Sequence, residues 1–255
     1  RGVRTIVMPA VFIDLAHHLC SDSENECELV VVPDDTTSAL FAVTRAWRAQ
    51  CLVPVVAVAG SIGKTTSIDM IAAITQVDHL PLYVHTEGET TLAELAIAML
   101  HVTDKYVAAL FEVGFTRGED IFAAADILRP TLALVTAVCA ASQQEAQSAE
   151  LLATAKQQIF SFFSPSQIGI VCGDYSELVS YSYAHPVVRF GLKGKNTITA
   201  RKVSTFKDQD GLLKTRMLLR MYDFEKEVVL PGCHKGLVYA ALAASAVAYF
   251  LYVPF

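Results

Sequence analysis

Hydrophobic positions in this chain gather into short unbroken runs, with longer stretches of helical spacing between them. Runs at Val53–Ala59, Tyr106–Phe111, Thr131–Thr136 and Ile168–Cys172 show little alternation, which predicts strands covered on both faces. Helical spacing over Thr65–Thr75, Thr91–His101, Gly118–Leu128 and Ala146–Phe162 fills the intervals. Repeated βα units of this kind imply an α/β fold: a doubly wound, mainly parallel sheet with ligands at the carboxyl ends of its strands. From about Val187 the texture changes. Alternating segments at Val187–Phe190, Thr197–Val203, Leu212–Met221 and Lys226–Leu230 predict a small antiparallel sheet, with a turn at Asp208-Gln209-Asp210-Gly211. Ahead of the first buried run come strands at Thr5–Met8 and Leu29–Val32 and a helix from Ser38 to about Gln50. Asp34-Asp35-Thr36-Thr37-Ser38 supplies its capping side chains. This αβ fragment is too small to own a core. Residues 1–50 therefore read as the remnant of an N-terminal α/β domain, and 51–255 as one central domain.

With 53% apolar and 18% charged residues, the 255-residue chain can bury a substantial core. A net charge of −6 and the lack of any Lys/Arg-rich run exclude a nucleic-acid-coating surface. Cys20, Cys27, Cys51, Cys139, Cys172 and Cys233 form no CxxC pair, a pattern of reduced thiols and a cytoplasmic setting rather than a disulfide framework. Leu237 to Phe255 approaches the length of a membrane span. Its alanine content and Pro254 favour a helix buried against the sheet, without membrane insertion. The opening Arg1-Gly2-Val3-Arg4-Thr5-Ile6-Val7 has no signal-peptide layout and reads as the inside of a strand, so the sequence is expected to begin partway through a larger protein. His17-His18 beside Asp14 lack a third ligand at useful spacing and read as a surface pair. Lys193-Gly194-Lys195 reads as a basic turn.

The chemistry concentrates behind the first buried run. Val53–Ala59 leads directly into Gly60-Ser61-Ile62-Gly63-Lys64-Thr65-Thr66 and then an amphipathic helix, the context a phosphate-binding loop requires. Gly60 and Gly63 let backbone N–H groups turn inward around phosphate oxygens, and the helix N-terminus adds the positive end of its dipole. Lys64 is placed to reach the β- and γ-phosphates of a nucleotide, and Thr65 or Thr66 to offer a hydroxyl to Mg²⁺. The first glycine of the general pattern would fall at Val58, so that pattern is met in part. Ser61 lies inside the phosphate loop and lacks a nucleophile-elbow context, so serine-hydrolase chemistry is not expected. Glu112, directly after a second buried run, supplies an acid that holds Mg²⁺ directly or through water.

These residues resemble the central ATP-binding domain of the Mur ligases, most closely the branch joining D-Ala-D-Ala to a UDP-MurNAc-tripeptide. Ala59–Thr66 is similar to the family's TGSxGKTT-type loop. Glu112-Val113-Gly114-Phe115-Thr116-Arg117-Gly118-Glu119 and Arg129-Pro130 reproduce its E-x-G-x(3)-G-E segment and the Arg-Pro beyond. Ala155-Lys156 falls on its "AK" helix. Gly232-Cys233-His234 and the alanine-rich helix resemble its G-x-H-N segment, and Val30–Arg48 the end of its UDP-binding domain. The resemblance implies an ATP-dependent amide ligase: ATP phosphorylates a substrate carboxylate and an amine displaces phosphate. It implies that Gly60, Ser61, Ile62, Gly63, Lys64, Thr65, Thr66 and His234 hold ATP. It further implies that Thr65 and Glu112 hold one Mg²⁺ and that Lys156, carbamylated, serves a second metal. Lys64, Glu112 and Lys156 would then carry the catalysis, with a UDP-MurNAc-peptide and D-Ala-D-Ala as partners.

The departures from the pattern are concentrated. The family's T-N-x-x-x-x-H stretch is Thr136-Ala137-Val138-Cys139-Ala140-Ala141-Ser142, so Ser142 replaces a metal-binding histidine and Ala137 an asparagine. An asparagine-rich loop is replaced by Glu87-Gly88-Glu89-Thr90-Thr91. Lys235 and Val238 stand where two further asparagines are expected. Two readings follow: a divergent working ligase, or a nucleotide-binding pseudo-ligase acting as a structural or partner-binding subunit. The family's C-terminal domain has no counterpart up to Phe255. The chain as given is expected to bind ATP without completing ligation alone.

Overall fold

The computed structural model describes residues 5–9, 28–32, 35–76, 79–86, 91–139 and 149–252. His17-His18, residues 87–90 and Ser142 lie outside them. Strands β1 (Thr5–Pro9) and β2 (Glu28–Val32) pair in parallel as a separate two-stranded sheet. Helix α1 (Thr36–Gln50) follows, its first turn capped by Asp35, whose side chain accepts from the Ser38 amide at 2.6 Å. A nine-stranded sheet then holds the rest. Its strands in chain order are β3 (Val55–Ala59), β4 (Leu82–His85), β5 (Ala108–Glu112), β6 (Leu132–Val135), β7 (Ile168–Cys172), β8 (Val187–Gly191), β9 (Ile198–Lys207), β10 (Leu213–Met221) and β11 (Phe224–Pro231). Their spatial order is β11-β10-β9-β8-β7-β6-β3-β5-β4.

From β4 through β8 every pair is parallel, as the apolar runs predict. Every residue of β3, β5 and β6 is buried, because helices cover both faces. On one side α2 (Lys64–Gln76) packs against α7 (Lys235–Phe250). On the other lie α1, α3 (Leu92–Leu100), α4 (Gly118–Leu128) and α5 (Ala149–Gln157), the last continuing as a single 3₁₀ turn over Gln158–Phe160. A short α6 (Ser176–Val179) follows β7. Thr91 and Glu94 close a reciprocal capping box at the start of α3. The alanine-rich α7 is buried from Ala240 through Ala248, as its composition predicts. No helix among the described residues is long and apolar enough to cross a membrane.

One feature differs from the sequence reading. The segment Val187–Phe190, expected as antiparallel, is β8 and runs parallel to β7, while β9 runs parallel to β8 over Phe190–Gly191. Only β9, β10 and β11 are antiparallel, and they extend the same sheet as an arm. The alternation was read correctly; strand direction is not encoded in it. Helix α1 packs on α3 and α4 of the large sheet unit. Arg48 donates to the Leu128 carbonyl at 2.7 Å and the Arg129 carbonyl at 3.0 Å, and Trp47 donates to the Val102 carbonyl at 3.1 Å.

Candidate functional site

The chain leaves β3 toward one edge of the sheet through α2 and β4. It leaves β6 toward the other through α5 and β7. The carboxyl ends of β3 and β6 therefore flank a topological switch point, where open α/β sheets form their ligand crevice. The loop Gly60–Gly63 occupies that position, between the end of β3 and the first residue of α2. Gly60 has φ +143°, and a Cβ there would lie 2.1 Å from the Thr136 hydroxyl oxygen, so both conformation and space exclude a side chain. Gly63 has φ +83° with open space around it, so only its conformation demands glycine. The amides of Ile62, Gly63, Lys64, Thr65 and Thr66 have no acceptor among the described residues. Consecutive unpaired N–H groups at a helix N-terminus form a concave donor set suited to an anion.

Around this loop stand charged groups from three other elements. The Lys64 ammonium donates to the Gly60 carbonyl at 3.2 Å and lies 3.9 Å from a Glu112 oxygen. Glu112, the last residue of β5, is 5% exposed and accepts a 2.8 Å hydrogen bond from the Thr65 hydroxyl. Of the two threonines the sequence offers, Thr65 is thus the one turned to the acid. A hydroxyl and a carboxylate are hard oxygen donors of the kind Mg²⁺ takes, few from protein and the remainder from water and phosphate. Lys156, on α5, is 3% exposed, and its ammonium donates at 2.6 Å to the carbonyl of Phe115, three residues after Glu112. Burial, and secondly the charge of Lys64, pull its pKa down to about 8.

Ser61 faces away from the open amides. Its N–H donates to the Ala137 carbonyl at 2.9 Å, and its hydroxyl accepts from the Cys139 amide at 3.2 Å. His234 caps α7, its Nδ1 accepting from the Gly236 amide at 3.1 Å. No hydrogen bond or ion pair among the described residues joins it to Lys64, Glu112 or Lys156. The structure therefore brings Lys64, Thr65, Glu112 and Lys156 together and leaves His234 at a separate helix end. The sequence marks the segment after β6 only for its missing asparagine and histidine and assigns no role to Thr136, which bonds to the loop. The available signal was a threonine closing a buried run.

Comparison with known proteins places the chain in a family. The profile of the Mur ligase middle domain matches residues 58–248. The chain belongs to the Mur ligase family. It is 27% identical over 181 residues to the UDP-N-acetylmuramoyl-tripeptide--D-alanyl-D-alanine ligase of Bacillus subtilis (strain 168), covering 70% of this chain and 39% of that protein. The enzyme of the same name from Escherichia coli (strain K12) is 30% identical over 146 residues, 57% of this chain and 32% of the relative. The Mur ligase chain thus spans about two fifths or less of these relatives. In fold it is similar to MurF from Thermotoga maritima solved in complex with ADP, with a TM-score of 0.78 at 18% identity over 99% of this chain and 62% of that one. A ligase structure from Acinetobacter baumannii gives 0.78 at 19% identity, covering all of this chain and 59% of the other.

Proposed function

We propose that this chain is the ATP-binding part of an amide ligase of peptidoglycan precursor synthesis, adding D-Ala-D-Ala to a UDP-MurNAc-peptide. The carrying observation is the set of open amides from Ile62 to Thr66 beside Lys64, with the Thr65–Glu112 pair one hydrogen bond away. The names of the relatives and the ADP-bound neighbour support the choice of nucleotide and substrate. In this reading residues 1–50 close a preceding domain and 51–255 form the nucleotide unit.

ATP supplies the phosphoryl group that activates the substrate carboxylate, and magnesium neutralises charge on the phosphates. Lys64 exchanges its contacts with Gly60 and Glu112 for the β- and γ-phosphates. Thr65 and Glu112 hold the ion. Ser61 contributes by anchoring the loop to the segment after β6, while His234, which caps α7, joins the nucleotide set only through the resemblance of Gly232-Cys233-His234 to the family segment. Lys156, its pKa drawn down to about 8, keeps a minor share of neutral amine near physiological pH, the form that would add CO₂ and lose a proton to become a carbamate able to hold a second ion.

A pseudo-ligase, serving a structural or partner-binding role, is favoured by one observation. Val238 is 1% exposed and Ala137 5%, so two positions the family fills with asparagine offer no polar side chain. One assay separates the readings. Full-length protein supplied with Mg·ATP, a UDP-MurNAc-tripeptide and D-Ala-D-Ala is expected to release phosphate in proportion to peptide formed. Nucleotide binding without phosphate release in any peptide combination would select the pseudo-ligase.

A further inference from the structure

The strongest unassigned feature lies across the switch point. Thr136, the first residue beyond β6, is 7% exposed and meets the phosphate loop three times. Its N–H donates to the Ala59 carbonyl at 3.0 Å. Its hydroxyl donates to the Ile62 carbonyl at 2.6 Å and lies 3.4 Å from the Ala59 carbonyl oxygen. The same oxygen occupies the space that a Cβ on Gly60 would need.

Geometry gives the Ile62 bond its meaning. In a planar trans peptide the C=O of one residue and the N–H of the next point in opposite directions. Tying the Ile62 carbonyl to β6 therefore aims the Gly63 N–H the other way, on the side where the loop is open. Gly63 has φ +83° and no neighbour within 4 Å of a notional Cβ; its own carbonyl accepts from the Ser67 amide at 3.0 Å and the Ser67 hydroxyl at 2.7 Å, but among the described residues no hydrogen bond other than that of Thr136 holds the Ile62–Gly63 peptide. Without the hydroxyl, the Ile62–Gly63 peptide is free to rotate and present its carbonyl, a repelling dipole, to an anion. Ser61, bonded to Ala137 and Cys139, anchors the preceding turn but leaves the Ile62 carbonyl untouched.

We propose that Thr136 is a positioning residue that presets the phosphate loop, its hydroxyl holding the Ile62 carbonyl so that the Gly63 amide faces the nucleotide phosphates. The inference rests on the nucleotide-binding reading above, and its test separates the two. Full-length wild-type protein, Thr136→Val and Thr136→Ser are titrated with Mg·AMPPNP by calorimetry. Thermal melting is followed in parallel, together with hydrogen exchange of the peptide covering residues 60–66. Valine keeps the shape and removes the hydroxyl; serine keeps the hydroxyl and removes the methyl. Thr136→Val is expected to bind about tenfold more weakly, the scale of one buried acceptor left unpaired. Its loop amides should exchange faster without nucleotide, and Thr136→Ser should stay within about twofold of wild type. Equal affinity in wild type and Thr136→Val would remove the role of Thr136 and leave the nucleotide site standing. Equal weakening in the valine and serine variants would assign the effect to methyl packing and likewise overturn the proposal. No binding by the wild type would overturn both readings. Should Thr136→Val fail to fold, Thr136→Ala against Thr136→Ser makes the same comparison.

Discussion

Lys156 shows how much of a residue's chemistry is set by where its helix places it. On a solvated face its amine would titrate far above neutrality and stay charged. Here α5 drives it under the Phe115 carbonyl, within electrostatic reach of Lys64, and its pKa falls to about 8. The neutral amine is then about half the population at pH 8 and about a tenth at pH 7. An ordinary lysine reaches that balance only near pH 10.5. A carbamate at Lys156 should accordingly build up through a midpoint near pH 8. With ¹³C-labelled bicarbonate, a carbamate carbon signal should grow between pH 7 and 8.5 and vanish in Lys156→Arg. A midpoint near that of free lysine would mean that burial has not tuned this amine.

At the scale of elements, packing rather than bonding decides the behaviour of β8 and its approach. His185 precedes β8 and sits among Phe160, Phe163 and Tyr183, with ring centroids 4.9, 4.8 and 5.4 Å away. Its Nδ1 is 3.0 Å from the Pro186 carbonyl, while Nε2 is buried without a hydrogen-bond partner among the described residues. Burial lowers its pKa below 6.5, partly opposed by the Pro186 contact. The folded state therefore binds fewer protons than the unfolded chain in this window. The sign follows: His185 leaves stability intact above pH 6.5 and subtracts from it as pH falls toward 5. Urea unfolding of His185→Leu should show a shallower loss of stability between pH 7 and 5 than wild type. Parallel curves would show that the ring is not what the acid attacks.

The same scale explains what the sequence could reveal. The run from β3 through the loop into α2 is legible because an unbroken apolar strand, two glycines and a lysine allow few other structures. Glu112 was legible because it follows a buried run directly, and Lys64 and Thr65 because they close the glycine turn that follows another. Strand β4 escaped notice: Leu82-Tyr83-Val84-His85 is four residues long, lies at the sheet edge and is only partly buried. The direction of β8 and β9 was not readable, since a half-covered strand alternates whether its neighbour is parallel or not. Thr136 was visible as a residue but silent as a site. Its partner lies 74 positions earlier in the chain, and only the strand order makes β6 and β3 neighbours.

For the whole molecule, the consequence of that strand order is that one ligand would touch parts supplied by separate units of chain. The open amides belong to the β3–α2 loop and the first turn of α2, Glu112 to β5 and Lys156 to α5, while Thr136, just beyond β6, acts on the ligand through the loop it braces. A ligand bound there favours the folded state by mass action alone, about 2.7 kcal/mol at a hundredfold excess over Kd. For a chain of this size each kcal/mol moves the melting temperature by about 2–4 °C, which sets the expected rise with Mg·ADP at about 5–10 °C. Lys64→Ala removes the cation at the first residue of α2, a charge-assisted contact worth about 1.5–3 kcal/mol, so affinity should fall about ten- to hundredfold. At unchanged nucleotide concentration its melting shift should shrink to about half of the wild-type value at tenfold weaker binding and to about a seventh at hundredfold. The comparison uses shifts rather than absolute melting temperatures because the variant also loses the Lys64–Glu112 contact without ligand. An equal shift in both proteins would place the bound nucleotide somewhere other than the mouth of β3.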